Sequence, residues 1–242
     1  MPARRFFIPD VRREGERIAI DGTDAHKIVN VLRLRSGDEI ELVDSAGSLF
    51  LATLETEGDA VRAYLRQQRT TAVSAPLAID VAQGIPKGQK MDFVVEKLGE
   101  LGVRALIPIE SERTVARDIG SAKLERWRRL ARAASQQSGR VDLLAVEDPL
   151  PMSRLAERFA EYDAVLLPWE VAAPQPLREQ LPALAAGARS VLVIIGPEGG
   201  FSHAEVDAAQ AAGAHPIWLG PRILRTETAA LATVAILAYE FG

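Results

Sequence analysis

The sequence predicts an α/β protein in two parts, a small β-rich domain over residues 1–70 and a larger domain of alternating strands and helices over 76–242. Three observations carry this. The first part holds short alternating apolar runs broken by turn residues. After Pro76, apolar runs of strand length alternate with segments of helical period, the mark of a largely parallel sheet. Val191–Ile195 is a continuous apolar run of the kind buried on both faces.

In order, Arg17–Ile20, Glu39–Asp44, Leu49–Glu55 and Ala60–Arg66 read as strands, with turns at Ser36-Gly37-Asp38 and Ala46-Gly47. Asp24–Arg33 reads as one short helix capped by Asp24 or Thr23. Gln67–Pro76 is polar, unperiodic and ends in proline, which makes it the linker. Leu77–Gln83 is then a strand, and Lys87–Gly102 a helix with Met91, Val94, Val95, Leu98 and Leu101 on one face and Gly102 at its end. Val103–Ile109, Asp163–Pro168, Val191–Ile195 and Pro216–Leu219 follow as strands. Lys123–Gly139, Pro176–Ala186 and Ser202–Ala212 follow as helices.

Of 242 residues, 48% are hydrophobic, ample for a core. No run of about 18 apolar residues and no secretory leader is present, so a cytoplasmic protein without a membrane anchor is expected. The absence of cysteine excludes disulfides, thiolate nucleophiles and cysteine-ligated metals, and three histidines without pair spacing leave no metal site expected. The net charge of -4 argues against indiscriminate nucleic-acid coating. Between Arg113 and Arg140, however, eight basic residues, Arg117 among them, face only Asp118 and Glu125. This region is either a binding surface or a solvated helix face.

The buried strand runs into Gly196-Pro197-Glu198-Gly199-Gly200, and Ser202 with Glu205 forms a capping box that opens the next helix. In open α/β sheets that edge binds ligands, and glycines let backbone approach them. The loop matches neither phosphate fingerprint, and Glu198 would repel an anion while suiting a cationic or hydroxyl-rich ligand such as S-adenosylmethionine. A turn needed only for strand-to-helix geometry is the alternative.

A second polar loop, Gly220–Thr228, follows the last strand and brings Arg222, Arg225, Thr226 and Glu227 to the same sheet edge. Ala229–Tyr239 is apolar on nearly every face, so it must be covered all round, by its own domain or, more naturally for a terminal helix, by a second subunit.

On these residues the chain resembles the ribosomal small-subunit methyltransferase E family of the SPOUT superfamily. The strongest matches are Gly196–Ser202 and Leu219–Ala229. Lys87-Gly88 with Lys90-Met91, Glu100-Leu101-Gly102, Ser111-Glu112-Arg113, Gln137–Arg140, and His26 with Val31-Leu32-Arg33 are weaker ones. One departure is Gln136, where relatives often carry glutamate, which leaves a charge-dependent role there open. The resemblance implies a SPOUT α/β fold with a deep trefoil knot and a PUA-like β-barrel in front of it. It also implies an obligate homodimer through the C-terminal domain, S-adenosyl-L-methionine as cofactor, and methylation of N3 of a uridine in 16S rRNA, free or in the assembled 30S subunit. Another RNA substrate such as tRNA, or a non-catalytic RNA-binding module, are the alternatives.

Uridine N3 carries a proton at neutral pH, so methyl transfer needs that proton removed or the resulting anion stabilised. Arg225 and Arg222 are the candidate cations, and Glu198 or Glu227 the proton acceptors. A salt bridge from Arg225 to Glu227 or Glu198 that merely shapes the loop is the competing role. Matching positions imply cofactor contacts from Leu167, Gly196, Pro197, Glu198, Gly199, Gly200, Leu219, Gly220, Ile223, Leu224 and Thr226. RNA contacts fall to Arg4, Arg5, Arg12, His26 and Arg33 in front and to Arg113, Arg126 and Arg140 behind.

Overall fold

The computed structural model describes residues 4–10, 12–58, 60–69, 77–114, 119–172, 175, 177–184 and 187–241. Most of the expected linker (70–76), Arg117, Asp118, and the ends of the expected 176–186 helix lie outside these residues. The chain divides into two compact units, one of residues 1–73 with 135–142 and one of 74–134 with 143–242.

The first unit is a five-stranded sheet of β1 (Arg5–Phe7), β2 (Arg17–Ile20), β3 (Glu39–Val43), β4 (Leu49–Glu57) and β5 (Ala60–Arg69) in the order β1-β3-β4-β5-β2. Only β1–β3 is parallel. β5 alternates strictly through Val61, Ala63 and Leu65, whose side chains join Phe6, Ile40, Leu42, Phe50 and Leu54 in one core. Sequence patterning misses β1, because three residues are too few to show a period. The single expected helix is instead a short α1 (Gly22–His26) that widens into a π-helical turn, Lys27–Val31. Gln136 donates from its amide nitrogen to Asp24 (3.2 Å) and accepts from Lys27 (3.3 Å). A carboxylate there would have no proton for Asp24.

The second unit contains β6 (Ala78–Gly84), α2 (Lys90–Glu100), β7 (Ala105–Glu110), α3 (Ser121–Ser138), whose last residues belong to the first unit, β8 (Ala145–Val146) and β9 (Leu150–Pro151). Then come α4 (Met152–Leu155) with a 3-10 turn, β10 (Ala164–Pro168), α5 (Leu177–Leu184), β11 (Ser190–Ile195), α6 (His203–Ala211), β12 (His215–Ile217) and α7 (Thr226–Phe241). The sheet order is β12-β10-β11-β6-β7-β8, with β9 also on β7, and every pairing is parallel. β8, β9 and α4 are too short for sequence periodicity to reveal.

Both faces of this sheet are covered, which explains the continuous apolar strands. Val191, Val193 and Ile195 point into the core built with α2, α3 and α7, while Leu192 and Ile194 point into the one built with α4 and α6. Helix α6 therefore packs on one face and α7 on the other, and the chain crosses between faces through the loop 218–225. Away from those strand ends, buried Asp80 accepts two hydrogen bonds from Arg104 (2.9 and 2.7 Å) and one from the Tyr162 hydroxyl (2.8 Å). Burial, reinforced by the Asp80 charge, pushes the Tyr162 phenol well up from its ordinary value. No helix among the described residues is long and apolar enough to cross a membrane.

Candidate active site

A cavity of about 630 Å³ opens at the C-terminal ends of β10, β11 and β12. Its walls are the glycine loop after β11, the loop 218–225 after β12, and Pro168, Trp169 and Glu170 after β10. The volume lies in the range of sites for cofactor-sized molecules. Strand order produces this convergence, because β10 stands between β11 and β12 and three carboxyl ends come together.

The glycine loop is held from both sides. Glu198 accepts hydrogen bonds from the Lys87 amide (3.0 Å) and the Lys90 ammonium (2.8 Å), both in the segment that opens α2. Burial pushes the Glu198 carboxyl up, yet the bonds from Lys90 and the Lys87 amide outweigh it and hold the group below the ordinary carboxylate range. On the other side Arg113 donates to the Gly199 carbonyl at 2.8 Å. Two glycines are dictated by geometry. A Cβ on Gly84 would stand 2.4 Å from the Pro197 nitrogen, and Gly200 has φ +65°. The expected capping box is present: Ser202 Oγ accepts from the Glu205 amide at 3.2 Å, and Glu205 accepts from the Ser202 amide at 2.9 Å. Glu205 also accepts from the Glu112 amide (2.7 Å), which ties the loop after β7 to α6.

Thr226 opens α7, and its buried hydroxyl donates to the Gly196 carbonyl at 2.5 Å. The two loops are thus joined at their roots. Arg222 and Arg225 line the cavity and are exposed, and among the described residues no ion pair is recorded for either. Glu198 is bound to Lys90, not to Arg225. Glu227 lies outside the cavity wall, with one carboxylate oxygen buried and unpartnered.

Of the residues expected at a cofactor, all line the cavity except Leu167, which is fully buried in the core, so that the wall begins at Pro168. Alternation along β10 explains this, since Leu167 points into the core between β10 and α6. Lys90, Trp169, Glu170 and Trp218 also line the cavity, and sequence reading passes over them as site residues. The missed signal is position: Trp169 and Trp218 each stand one residue past a strand end. Trp169 packs edge-on against His203 at 5.2 Å.

The residues expected to meet RNA divide by commitment. Arg4, His26 and Arg33 are exposed. Arg5 grips Glu41 through two nitrogens and also reaches the Gly139 carbonyl, while Arg12 pairs with Asp10. Arg126 pairs with Asp92, and Arg140 with Asp142.

The fold and cavity define an α/β domain that binds its ligand at strand ends, and residues 73–238 match the RNA methyltransferase domain family, with 20–62 matching the RNA methyltransferase PUA domain. The chain is 31% identical to ribosomal RNA small subunit methyltransferase E of Bacillus subtilis over 98% of this chain and 96% of that one. It is 32% identical to the Mycobacterium tuberculosis protein of the same name over 95% and 89%. A solved structure of that methyltransferase from Neisseria gonorrhoeae, bound to S-adenosyl methionine, superposes with TM-score 0.89 at 30% identity, covering 99% of this chain and 98% of that one. The chain belongs to the ribosomal RNA small subunit methyltransferase E family.

Proposed function

We propose that this protein methylates N3 of a uridine in 16S rRNA with S-adenosylmethionine, in the cytoplasm and as a homodimer. The observation that carries the reading is the cavity: the two loops that hold the family's signature residues converge there, joined by Thr226 on Gly196. Its residues suit the cofactor. Glycines give close backbone approach, and the Glu198 carboxylate stands in the wall paired with Lys90, so that the glycine loop offers polar groups without a free negative charge. When bound, the cofactor supplies an electrophilic methyl group; Gly196, Gly200, Leu219 and Leu224 would hold it.

The rest falls to the chain. Arg225 and Arg222, exposed beside the cavity and free of recorded partners among the described residues, are placed to stabilise an anionic base or hold a phosphate. Glu198 is a poor proton acceptor, since its carboxylate is already engaged by Lys90 and the Lys87 amide. Glu227, with one oxygen unpartnered, is the better candidate of the two, although it lies outside the cavity wall.

The N-terminal domain, residues 1–70, is proposed to bind RNA through Arg4, His26 and Arg33, each exposed and without a recorded acidic partner among the described residues. The homodimer reading rests on α7, which buries Ala230, Val234 and Leu237 and leaves Ile236 (39%) and Tyr239 (88%) exposed. The trefoil knot belongs to the same reading and rests on the family alone.

The test is mass spectrometry of 16S rRNA from a strain lacking the protein, with and without complementation. Loss and return of one N3-methyluridine is the expected result. Retention of every such nucleotide would overturn the substrate assignment.

A further inference from the structure

Gln83, next to last in β6, is fully buried and stands behind the cavity rather than in its wall. It pairs in register with Ile195, the residue before the glycine loop. Its amide nitrogen donates to the Thr226 hydroxyl at 2.8 Å and to the Gly84 carbonyl at 2.9 Å. The Thr226 hydroxyl gives its own proton to the Gly196 carbonyl at 2.5 Å. The amide cannot be turned over, since its oxygen would then face the Gly84 carbonyl. That oxygen is consequently buried without a partner.

An unpartnered buried oxygen is destabilising. Leucine or methionine would fill similar space without it, so the use of the amide lies in its two donors. We propose that Gln83 is a positioning residue of the methyl-donor site: through the Thr226 hydroxyl it orients the Gly196 carbonyl and locks the glycine loop to the start of α7. The inference rests on the methyltransferase reading above. With Gln83 in place, the Thr226 oxygen accepts one hydrogen bond and its single proton is directed to Gly196. Without it, that proton is free to turn to another acceptor, and both loops lose their common reference.

The test is calorimetry with S-adenosylhomocysteine on the full chain, beside a thermal transition for each variant. Gln83→Leu and Thr226→Val should each weaken binding about tenfold, and the double variant no more than the weaker single, because both break one relay. Gln83→Glu supplies a readout that a purely structural role would not move. Protonated, its carboxyl donates to Thr226; ionised, it accepts the Thr226 proton and withdraws it from Gly196. Burial raises the pKa of the introduced group, so affinity should fall as pH rises through that value, in a range where the unmodified protein is flat.

Unchanged affinity in Gln83→Leu, or losses that add in the double variant, would overturn the proposal, as would lowered thermal stability with unaltered affinity. If Gln83→Leu does not fold, the Gln83→Glu profile decides, and a pH-independent affinity equal to that of the unmodified protein counts against the relay. Failure of the unmodified protein to bind S-adenosylhomocysteine would instead remove the methyltransferase reading itself.

Discussion

Arg225 and Glu198 line the same cavity, yet their surroundings assign them different work. Arg225 is exposed and free of a recorded partner among the described residues, while Glu198 is fixed by two donors. If Arg225 stabilises charge that develops only in the transition state, Arg225→Ala should lower kcat about a hundredfold and leave cofactor affinity within about twofold. Steady-state kinetics beside calorimetry measure both, and equal losses would make Arg225 a residue that shapes the pocket. For Glu198 the consequence is one of pH. Its carboxyl titrates below the ordinary value, so its contribution to stability is present at neutral pH and is lost as pH falls through the lowered pKa. The stability difference between the protein and Glu198→Gln should stay constant from about pH 8 to 6 and close below about pH 4 in denaturant titrations.

At the scale of elements, the site depends on how closely β6 and the glycine loop approach. Gly84→Ala would bring a methyl group within 2.4 Å of the Pro197 nitrogen and 2.8 Å of the Gly196 carbon, both backbone atoms that cannot step aside cheaply. The strain should cost about 3 kcal/mol in a denaturant melt and abolish measurable cofactor binding, since the loop moves as a whole. Helix α6 offers a milder case. Ser202→Ala removes the acceptor for the Glu205 amide and should cost about 1 kcal/mol. Little of that loss should reach cofactor affinity if the Arg113 and Lys90 bonds hold the loop independently.

At the scale of the molecule, α7 is the outstanding feature. One of its faces closes the core over β11 and β6, and the other presents Ile236 and Tyr239 to solvent. With Ile236→Asp, sedimentation should report a monomer where the unmodified protein reports a dimer, with little change in circular dichroism. A monomer in both would remove the homodimer proposal.

Legibility followed the same physics at every scale. Strands such as β5 and β11 and helices such as α2 were readable because burial on one face or two imprints a period on the sequence. β1, β8 and β9 are too short to carry one, and the π-helical turn after α1 has no sequence signature. Most of the cavity was legible because both of its loops are contiguous motifs of glycine, proline and charge. Lys90, Arg113 and Gln83 were not assigned their contacts, since each acts on a residue at least 86 positions away.

By itself, then, the sequence determined the alternation of elements, the two signature loops and the family, because periodicity, turn chemistry and motif spacing are local. It took the folded chain to decide that Glu198 belongs to Lys90 and not to Arg225. The fold also decided that Gln83 stands behind the loop root it secures. Those are properties of strand order, and strand order places side by side residues that the chain itself keeps far apart.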